Sequence, residues 1–460
     1  MRDVRHHDLV IIGTGSGNSI LDERFADWDV AIVERNRFGG TCLNVGCVPT
    51  KMYVHTADLA ATPADSARLG VDAELQGVRW PDVRDRIFGR IDAIVDGGRR
   101  YRVEDNPNVT VYETTGRFVG PRRLELESGE TITGDRVVIA AGGRPVVPEV
   151  PGLDEIPYQT SDTIMRMESL PPRLVILGSG FVAAEFAHIF GAFGVDVTVI
   201  ARSDRLLRAE DESVSRRFTE LAGARWDVRL GQRVRGAERD DGVTRLRLEG
   251  PDGERTAEAE ELLVAVGRRP NSDLLDVAAG GIATHPDGRI AVDEYQRTGV
   301  DGVWALGDIC SEHQLKHVAN HETRVVQHNL LHPDAPVAAD HRFVPHAVFT
   351  APQIAAVGLT EQAARERGVP YAAGSQDYAG VAYGWALEDT TGFAKVLADP
   401  GSGRLLGAHI IGPQASTLIQ PLIQAMSFEQ DVRELARGQY WIHPALPELV
   451  ENALLNLAMD

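Results

Sequence analysis

The chain has 460 residues, 43% hydrophobic and 25% charged, which suits about two to four globular domains and excludes disorder or a fibrous architecture. A formal net charge of −20 argues against nucleic acid or an anionic membrane as partner. No apolar run reaches the roughly 18 residues of a membrane span and no signal-peptide core is visible, so we expect a soluble, cytoplasmic protein. Three cysteines are too few for a secreted disulfide framework or a four-thiolate centre, and we expect no metal.

The first predicted elements form a dinucleotide-binding unit. Residues 8–13 (DLVIIG) form a short, mainly apolar run that continues into GTGSGN at 13–18, which is typical of a buried strand that turns sharply into a helix. Such a turn brings backbone N–H groups close to a pyrophosphate. Glu34 ends the next strand, 21 residues after Gly13, where a carboxylate accepts hydrogen bonds from a ribose diol. Asn18 stands at a position where the motif usually has glycine or alanine. The alternative to a nucleotide-binding loop is a tight glycine turn that binds no ligand.

The same pattern returns later, which indicates an internal duplication. In RLVILGSGFVAAE at 173–185, Gly178, Gly180 and Ala183 fit G-x-G-x-x-A. The strand at 195–200 that follows ends without an acid, and Arg202, Arg205 and Arg208 come after it. Guanidinium groups bind a 2′-phosphate that a carboxylate would repel, so NADP is favoured over NAD. A solvated arginine face on an exposed turn is the alternative.

Two further boundaries follow from turn-forming residues. Prolines punctuate 144–157, and HPDAP follows Leu331. From residue 343 onward, short apolar strands precede helical segments near 415–436, which predicts an α+β domain.

Two of the three cysteines, Cys42 and Cys47, lie five residues apart. A disulfide across so small a loop removes little chain entropy, so a purely stabilising bridge is disfavoured. Strained or exposed bridges are the labile, catalytic ones. A pair of buried free thiols is the alternative, but the position just after the first nucleotide-binding unit favours redox chemistry.

The segment GGTCLNVGCVPTK at 39–51 closely resembles the active-site segment of the class I pyridine nucleotide–disulfide oxidoreductases. Further segments resemble that family in the same order along nearly the whole chain: AAGGRP (140–145), VGRRPN (266–271), ALGD (305–308), FTAP (349–352), VGLTE (357–361) and HPALPE (443–448). The resemblance implies an α/β fold with two nested Rossmann-like dinucleotide-binding domains and a C-terminal α+β dimerisation domain. The implied boundaries are 1–145 with 268–335 for FAD, 146–267 for NADPH and 336–460 for dimerisation.

The resemblance also implies the catalytic roles. NADPH delivers hydride to FAD, and the reduced flavin opens the Cys42–Cys47 disulfide. Cys47 becomes the charge-transfer thiolate and Cys42 the interchange thiol that attacks a small-molecule disulfide. His443 carries the proton, with Glu448 orienting its ring, and comes from the other subunit of a homodimer.

The resemblance places Lys51 beside the flavin N5, paired with Glu185, and Asp308 at the ribityl chain. Phe181 stands where glutathione reductases often have tyrosine, and Cys310 is expected to be a buried packing residue. The residues predicted to bind the two cofactors are Gly13, Gly15, Ser16, Gly17, Glu34, Thr41, Lys51, Gly116, Asp308, Val318, Gly178, Ser179, Gly180, Phe181, Val182, Glu185, Arg202, Arg208 and Gly267.

Within the family, no cysteine follows Cys310, so the C-terminal thiol pairs of mercuric reductases and large thioredoxin reductases are absent. Arg202 and Arg208 disfavour the NAD-linked dihydrolipoamide dehydrogenases. The GTGSGN loop, Phe181 and LKHVANHE (315–322) are more similar to mycothione reductases than to glutathione reductases. We therefore expect an NADPH-dependent reduction of mycothione. Glutathione reductase, and the dihydrolipoamide dehydrogenase subunit of an oxo-acid dehydrogenase complex, are the alternatives.

Overall fold

The computed structural model describes residues 4–251 and 253–459, and the chain divides into two compact units. The first comprises Met1–Thr50, Asp82–Val146 and Gly267–His341, and the second comprises Lys51–Pro81, Val147–Val266 and Arg342–Asp460. The three-domain boundaries expected above stay a prediction.

In chain order the strands are β1 (Val4–Ile12), β2 (Val30–Val33), β3 (Val109–Tyr112), β4 (Gly116–Gly120), β5 (Arg123–Leu126), β6 (Thr131–Ile139), β7 (Gly143–Pro145), β8 (Arg173–Leu177), β9 (Asp196–Ile200), β10 (Asp227–Arg229), β11 (Arg233–Asp240), β12 (Val243–Gly250), β13 (Gly253–Ala259), β14 (Glu261–Val264), β15 (Arg268–Pro270), β16 (Val303–Ala305), β17 (His346–Val348), β18 (Gln353–Gly358), β19 (Ala372–Asp377), β20 (Phe393–Ala398) and β21 (Leu405–Gly412).

The α-helices are α1 (Gly40–Asn44), α2 (Cys47–Ser66), α3 (Trp80–Glu104), α4 (Phe181–Ala192), α5 (Glu212–Gly223), α6 (Lys316–Leu331), α7 (Glu361–Glu366), α8 (Ala382–Ala386), α9 (Ala415–Leu418), α10 (Gln420–Ser427), α11 (Val432–Arg437) and α12 (Pro447–Leu455). Among the described residues, no helix combines the length and the apolar character needed to cross a bilayer.

The main sheet of the first unit has the strand order β3-β2-β1-β6-β5-β4, with β16 also paired to β6. The pairs β1–β2, β2–β3, β1–β6 and β6–β16 are parallel, and every residue of β2 is buried, as expected for a strand covered on both faces. The carboxyl ends of β1, β2 and β16 lead to Gly13, Glu34 and Asp308. Parallel neighbours therefore bring three predicted cofactor-binding residues to one edge of the sheet.

The first unit departs from the expected strand–helix pattern directly after β1. The segment that follows the glycine loop forms two short 3₁₀ turns, Gly17–Ile20 and Glu23–Phe25, instead of the predicted helix. Asp22 begins the second turn by accepting a hydrogen bond from Arg24 N. The helix predicted after the first glycine loop is thus reduced to these turns.

In its described residues, the second unit contains three sheets. β10-β9-β8-β14 is parallel, with α4 connecting β8 to β9, and β11-β12-β13 is an antiparallel pair of hairpins. The third sheet, β17-β18-β21-β20-β19, is antiparallel. Its apolar face shares a core with α9–α12, in which Val396, Ile410, Leu422 and Leu449 are fully buried. We call this five-stranded sheet the C-terminal sheet.

Candidate active site

Cys42 lies inside α1, and Cys47 is the first residue of α2. Gly39, the N-cap of α1, has φ +95°, a left-handed conformation that favours glycine. Asn44 ends α1 and donates from Nδ2 to Phe38 O at 2.7 Å, which holds the short helix against the preceding turn. Both cysteines are thiols in the structure, Cys42 half-buried and Cys47 exposed.

The environment of Cys42 disfavours its thiolate. A hydrogen bond with Cys47 raises the pKa of Cys42 above its ordinary value, burial raises it further, and the Lys316 ammonium opposes both. Attack on a substrate disulfide requires a thiolate. Cys42 in this dithiol state therefore needs a base to take its proton.

Lys316, the first residue of α6, is a member of the site that sequence reasoning missed. Its Nζ donates to Ser16 Oγ at 2.8 Å and to Asn320 Oδ1 at 2.6 Å. Burial lowers the pKa of Lys316, while Cys42, Cys47 and Asp308 act in the opposite direction. The only sequence signal was a basic residue at the start of the LKHVANHE segment.

The first glycine loop fits a dinucleotide. A Cβ at Gly13, where φ is +101°, would lie 2.4 Å from Ala140 O, so only glycine fits there. A Cβ at Gly40 would lie 2.6 Å from Gly15 Cα, so the loop and the cysteine segment meet backbone to backbone.

Glu34 is buried at the end of β2. Its Oε2 accepts hydrogen bonds from Thr14 N at 2.9 Å and Thr14 Oγ1 at 2.6 Å, and its Oε1 accepts one from Asn36 N at 2.8 Å. A carboxylate has about four lone-pair sites, so acceptor capacity remains for a ribose diol.

The departure at Asn18 is compensated by Arg102 of α3. Arg102 is buried and donates to Asn18 Oδ1 at 2.8 Å, to Asn18 O at 2.9 Å and to Leu21 O at 3.3 Å. A guanidinium thus holds the turn for which the usual motif has a small residue. Sequence reasoning noted Asn18 but had no signal for its partner 84 positions later.

The predicted ribityl-binding residue Asp308 sits in the 3₁₀ turn Gly307–Ile309. Burial raises the pKa of this carboxyl, and the charge of Arg268 opposes the shift. Glu322, buried in α6, accepts a 2.6 Å hydrogen bond from Gly307 N and so positions the turn.

The other cofactor residues predicted in the first unit are dispersed. Val318 is buried in the first turn of α6 and Gly116 is buried in β4, whereas Thr41 is half-buried in α1. Gly267 has φ +135° and faces open space.

In the second glycine loop, the first glycine is tightly packed and the second faces open space. At Gly178 a Cβ would lie 2.2 Å from Ala265 O, whereas at Gly180, the N-cap of α4, it would meet nothing within 4 Å. The first glycine is needed for the turn, and the second presents backbone to open space at the positive end of a 12-residue helix. Phe181 is 48% exposed and Val182 is half-buried beside it.

Arg202 and Arg208 are exposed, and within the described residues no hydrogen bond or ion pair engages either guanidinium. Leu207, between them, has φ 52° and donates from its N–H to Ser179 O at 2.8 Å. This hydrogen bond attaches the segment that carries the two arginines to the second glycine loop. Two guanidinium groups near a backbone site suit a 2′-phosphate.

Lys51 and Glu185 form an ion pair within the second unit. The other oxygen of Glu185 accepts a hydrogen bond from Phe349 N at 2.9 Å, and the Lys51 Nζ lies 4.4 Å from the centre of the Phe349 ring. Asp58, seven residues after Lys51 on α2, meets His188 of α4 with an Oδ1–Nε2 distance of 2.8 Å. Two polar contacts therefore join α2 to α4.

His443 and Glu448 lie on either side of the start of α12. His443 Nδ1 is 2.7 Å from Glu448 Oε1, while the His443 side chain is 69% exposed. The carboxylate holds the ring in one orientation, which is the arrangement of a general acid–base pair.

Within each unit the predicted residues assemble into separate groups. The first unit holds the cysteines, the first glycine loop, Glu34 and Asp308, and the second holds the second glycine loop, both exposed arginines, the Lys51–Glu185 pair and the His443–Glu448 pair. The residues present fit two dinucleotides, one per glycine loop.

Comparison with known proteins gives two family matches. Residues 7–323 match the pyridine nucleotide-disulphide oxidoreductase family, and residues 344–454 match the dimerisation domain of the same family.

Several relatives align along nearly the full length. Mycothione reductase of Mycobacterium tuberculosis is 55% identical over 98% of this chain and 99% of its own. Dihydrolipoyl dehydrogenase of Corynebacterium glutamicum is 33% identical over 97% of both chains. Among solved structures, the HOCl-induced flavoprotein disulfide reductase RclA from Escherichia coli aligns with a TM-score of 0.85 and 26% identity, covering 97% of this chain and 99% of that one.

Proposed function

The chain belongs to the pyridine nucleotide-disulphide oxidoreductase family, and from that premise we propose that it reduces mycothione, the disulfide of mycothiol. The observation that carries the choice of substrate is the identity to mycothione reductase, far above that to dihydrolipoyl dehydrogenase. The protein is an NADPH-dependent flavoprotein disulfide reductase with FAD as its second cofactor. The predictions of family, fold class, activity and cofactors are thus confirmed.

Bound by the first glycine loop, Glu34 and Asp308, FAD would supply the redox chemistry that relays the two electrons of the NADPH hydride to the Cys42–Cys47 disulfide. The chain's own residues then carry the thiol chemistry. The Cys42 thiolate attacks one sulfur of the substrate disulfide, which forms a mixed disulfide and releases one thiolate. The Cys47 thiolate attacks Cys42 Sγ, which re-forms the Cys42–Cys47 disulfide and releases the second thiolate.

His443 is proposed as the base for Cys42 and the acid for the released thiolates. The raised pKa of Cys42 supports the need for a base, and the contact of Glu448 with His443 Nδ1 supports a fixed orientation of the ring for proton transfer. We assign this histidine to the active site of the partner subunit in a homodimer. The dimerisation-domain match and the exposure of the His443 ring support that assignment.

The cofactor sites are proposed in the same way. The first glycine loop, Glu34 and Asp308 hold FAD, while the second loop, Arg202 and Arg208 hold NADPH. Lys51, paired with Glu185, presents its ammonium to the flavin. A pool of reduced thiol is a requirement of the cytoplasm, which supports a cytoplasmic location.

The test is turnover by the FAD-loaded protein with the disulfides of mycothiol, glutathione and lipoamide, each with NADPH and with NADH. We expect mycothione with NADPH to give the highest kcat/KM, by at least about tenfold. Cys42→Ser, which retains Cys47, serves as control and is expected to abolish disulfide reduction while FAD stays bound. A preference for glutathione disulfide would overturn the substrate assignment, and lipoamide turnover with an NADH preference would indicate a dihydrolipoamide dehydrogenase.

A further inference from the structure

A buried ionic cluster lies at the end of the segment 202–211, which carries Arg202 and Arg208, and outside the site described above. Asp211 is fully buried, and its Oδ1 accepts a hydrogen bond from Lys395 Nζ at 2.8 Å. The same ammonium donates to Glu361 Oε2 at 2.6 Å. Next to Asp211, the buried Glu210 meets His346, with an Oε1–Nε2 distance of 2.8 Å. We call these five residues the anchor cluster.

Both carboxylate oxygens of Asp211 accept hydrogen bonds within or beside the anchor cluster. The other carboxylate oxygen accepts a hydrogen bond from Glu361 N at 2.9 Å, and Ser213 donates from both its N–H and its hydroxyl to Oδ1. Burial by itself would raise the pKa of Asp211, but the hydrogen bonds from Lys395 and Ser213 hold it well below its usual range. A buried carboxylate so completely bonded has one allowed position, which rigidifies the backbone on which it sits.

The other members of the anchor cluster, which bond Asp211 and Glu210, come from another part of the fold. Lys395 is on β20 and His346 is on β17, both strands of the C-terminal sheet, and Glu361 begins α7 directly after β18. Asp211, by contrast, is the N-cap of α5 and ends the segment 202–211. The cluster thus joins the C-terminal sheet to the nucleotide-binding part of the same unit.

The segment 202–211 is held at a second place as well. Leu207 donates to Ser179 O in the second glycine loop, Leu206 N donates to Thr219 Oγ1 at 3.0 Å, and Ser215 Oγ donates to Leu206 O at 2.6 Å. Between these attachments and the anchor cluster stands Arg208, exposed and with no partner among the described residues. The backbone that carries this guanidinium is therefore fixed on both sides while its head group faces solvent.

We propose that Lys395 and His346 are positioning residues for coenzyme specificity, which hold Asp211 and Glu210 and thereby set the place of Arg208, one of the two arginines assigned to the 2′-phosphate of NADPH. The proposal rests on the proposed function, in which Arg202 and Arg208 bind that phosphate. It adds that specificity for the phosphorylated coenzyme depends on the C-terminal sheet, far along the chain from the glycine loop. If the contacts of the anchor cluster are weakened, the segment 202–211 can shift. The arginine contacts to the 2′-phosphate are then lost, while the contacts to the rest of the nucleotide remain.

The experiment measures binding to the FAD-loaded homodimer by calorimetry, with adenosine 2′,5′-bisphosphate and with 5′-AMP as probes. We expect Lys395→Met and Glu210→Gln to weaken the bisphosphate about fivefold or more while 5′-AMP changes by less than about twofold. His346→Gln, which retains a donor, is expected to have a smaller effect in the same direction. Should Lys395→Met fail to assemble, the two other variants carry the test.

Glu260→Gln is the matched control, since it breaks an ion pair with Arg173 at the opposite end of β8 from the glycine loop. It should leave both probes unchanged. If Arg202→Ala and Arg208→Ala lose bisphosphate affinity while the anchor variants keep it, the positioning role is overturned and the proposed function stands. If the arginine variants bind both probes as well as the wild type does, the 2′-phosphate site and the positioning role both fail. Equal weakening of both probes by the anchor variants overturns the positioning role, since a general structural defect explains it.

Discussion

Lys316 Nζ donates a 2.8 Å hydrogen bond to Ser16 Oγ, which joins the first residue of α6 to the first glycine loop 300 positions earlier. The same ammonium opposes the rise in the pKa of Cys42. One side chain thus contacts the proposed pyrophosphate loop and favours the thiolate form of the redox pair. Its partner Asn320, one helical turn along α6, holds it in place.

Lys316→Met should shift the alkylation of Cys42 to higher pH. A nearby cation stabilises a thiolate, so its loss should raise the pKa of Cys42 by about half a unit to one unit. Less of the Cys42 thiol is then ionised at any given pH. The measurement is the rate of iodoacetamide modification of Cys42 in the dithiol-reduced protein between pH 6 and pH 10, read by peptide mass. Since the pKa of Cys42 is already raised, the wild-type rate should still be climbing above the value of about 8.5 for an ordinary thiol.

Asn320→Ala is the control for this experiment, because it removes a partner of the ammonium and leaves the charge. Its alkylation profile should stay close to that of the wild type. Coincident profiles for Lys316→Met and the wild type would show that the ammonium does not act on the thiolate.

Glu448→Gln should slow disulfide reduction by about 10- to 100-fold while flavin reduction by NADPH stays near normal. The substitution preserves shape but removes the charged acceptor that orients the His443 ring, since Glu448 Oε1 lies 2.7 Å from His443 Nδ1. Stopped-flow absorbance separates the two half-reactions. A collapse of flavin reduction would contradict the acid–base assignment.

Subunit sharing of His443 can be tested with mixed dimers of Cys42→Ser and His443→Gln chains. If the histidine serves the partner's cysteines, one of the two sites in a mixed dimer has both an intact cysteine pair and an intact histidine, and about half of the wild-type activity returns. Homodimers of either variant should be inactive for disulfide reduction. An inactive mixed dimer would place His443 in its own subunit's site.

Arg102→Met should weaken FAD binding about tenfold, because Asn18 and Leu21 lose the donors that hold the turn after the glycine loop. Reconstitution of the apoprotein with FAD, followed by flavin fluorescence, measures the change. Arg99→Met on the same helix is the control: its ion pair with Glu113 is exposed, and exposed pairs contribute little. Equal FAD affinity in both variants would show that Arg102 has no part in the loop.

Arg202→Ala combined with Arg208→Ala should raise KM for NADPH at least about tenfold and leave KM for NADH nearly unchanged, since only the phosphorylated coenzyme loses its guanidinium contacts. Steady-state kinetics with both coenzymes provide the comparison. Arg216→Ala, at an exposed position paired with Glu212 on α5, is the matched control. Equal changes for the two coenzymes would refute the 2′-phosphate role.

Much of the site is local in sequence and could therefore be predicted. The two glycine loops, the Cys42–Cys47 spacing and the arginines after β9 each lie within a short stretch whose chemistry depends on neighbours along the chain. The same reasoning overestimated the helix after the first loop, because Gly17–Ile20 and Glu23–Phe25 form short turns. Propensity and motif spacing do not report how Arg102, from a distant helix, holds Asn18 in such a turn.

What the sequence by itself determined was the order of the motifs, the close spacing of Cys42 and Cys47 and the presence of two dinucleotide-binding patterns. Only the tertiary structure decided that Lys316 meets Ser16, that Arg102 meets Asn18 and that Lys395 meets Asp211. These pairs join residues 84 to 300 positions apart. A lysine or arginine donates its hydrogen bonds to whichever carboxylate, carbonyl or hydroxyl oxygen the packing of strands and helices brings within about 3 Å. The residues next to it in the sequence do not indicate which oxygen that will be.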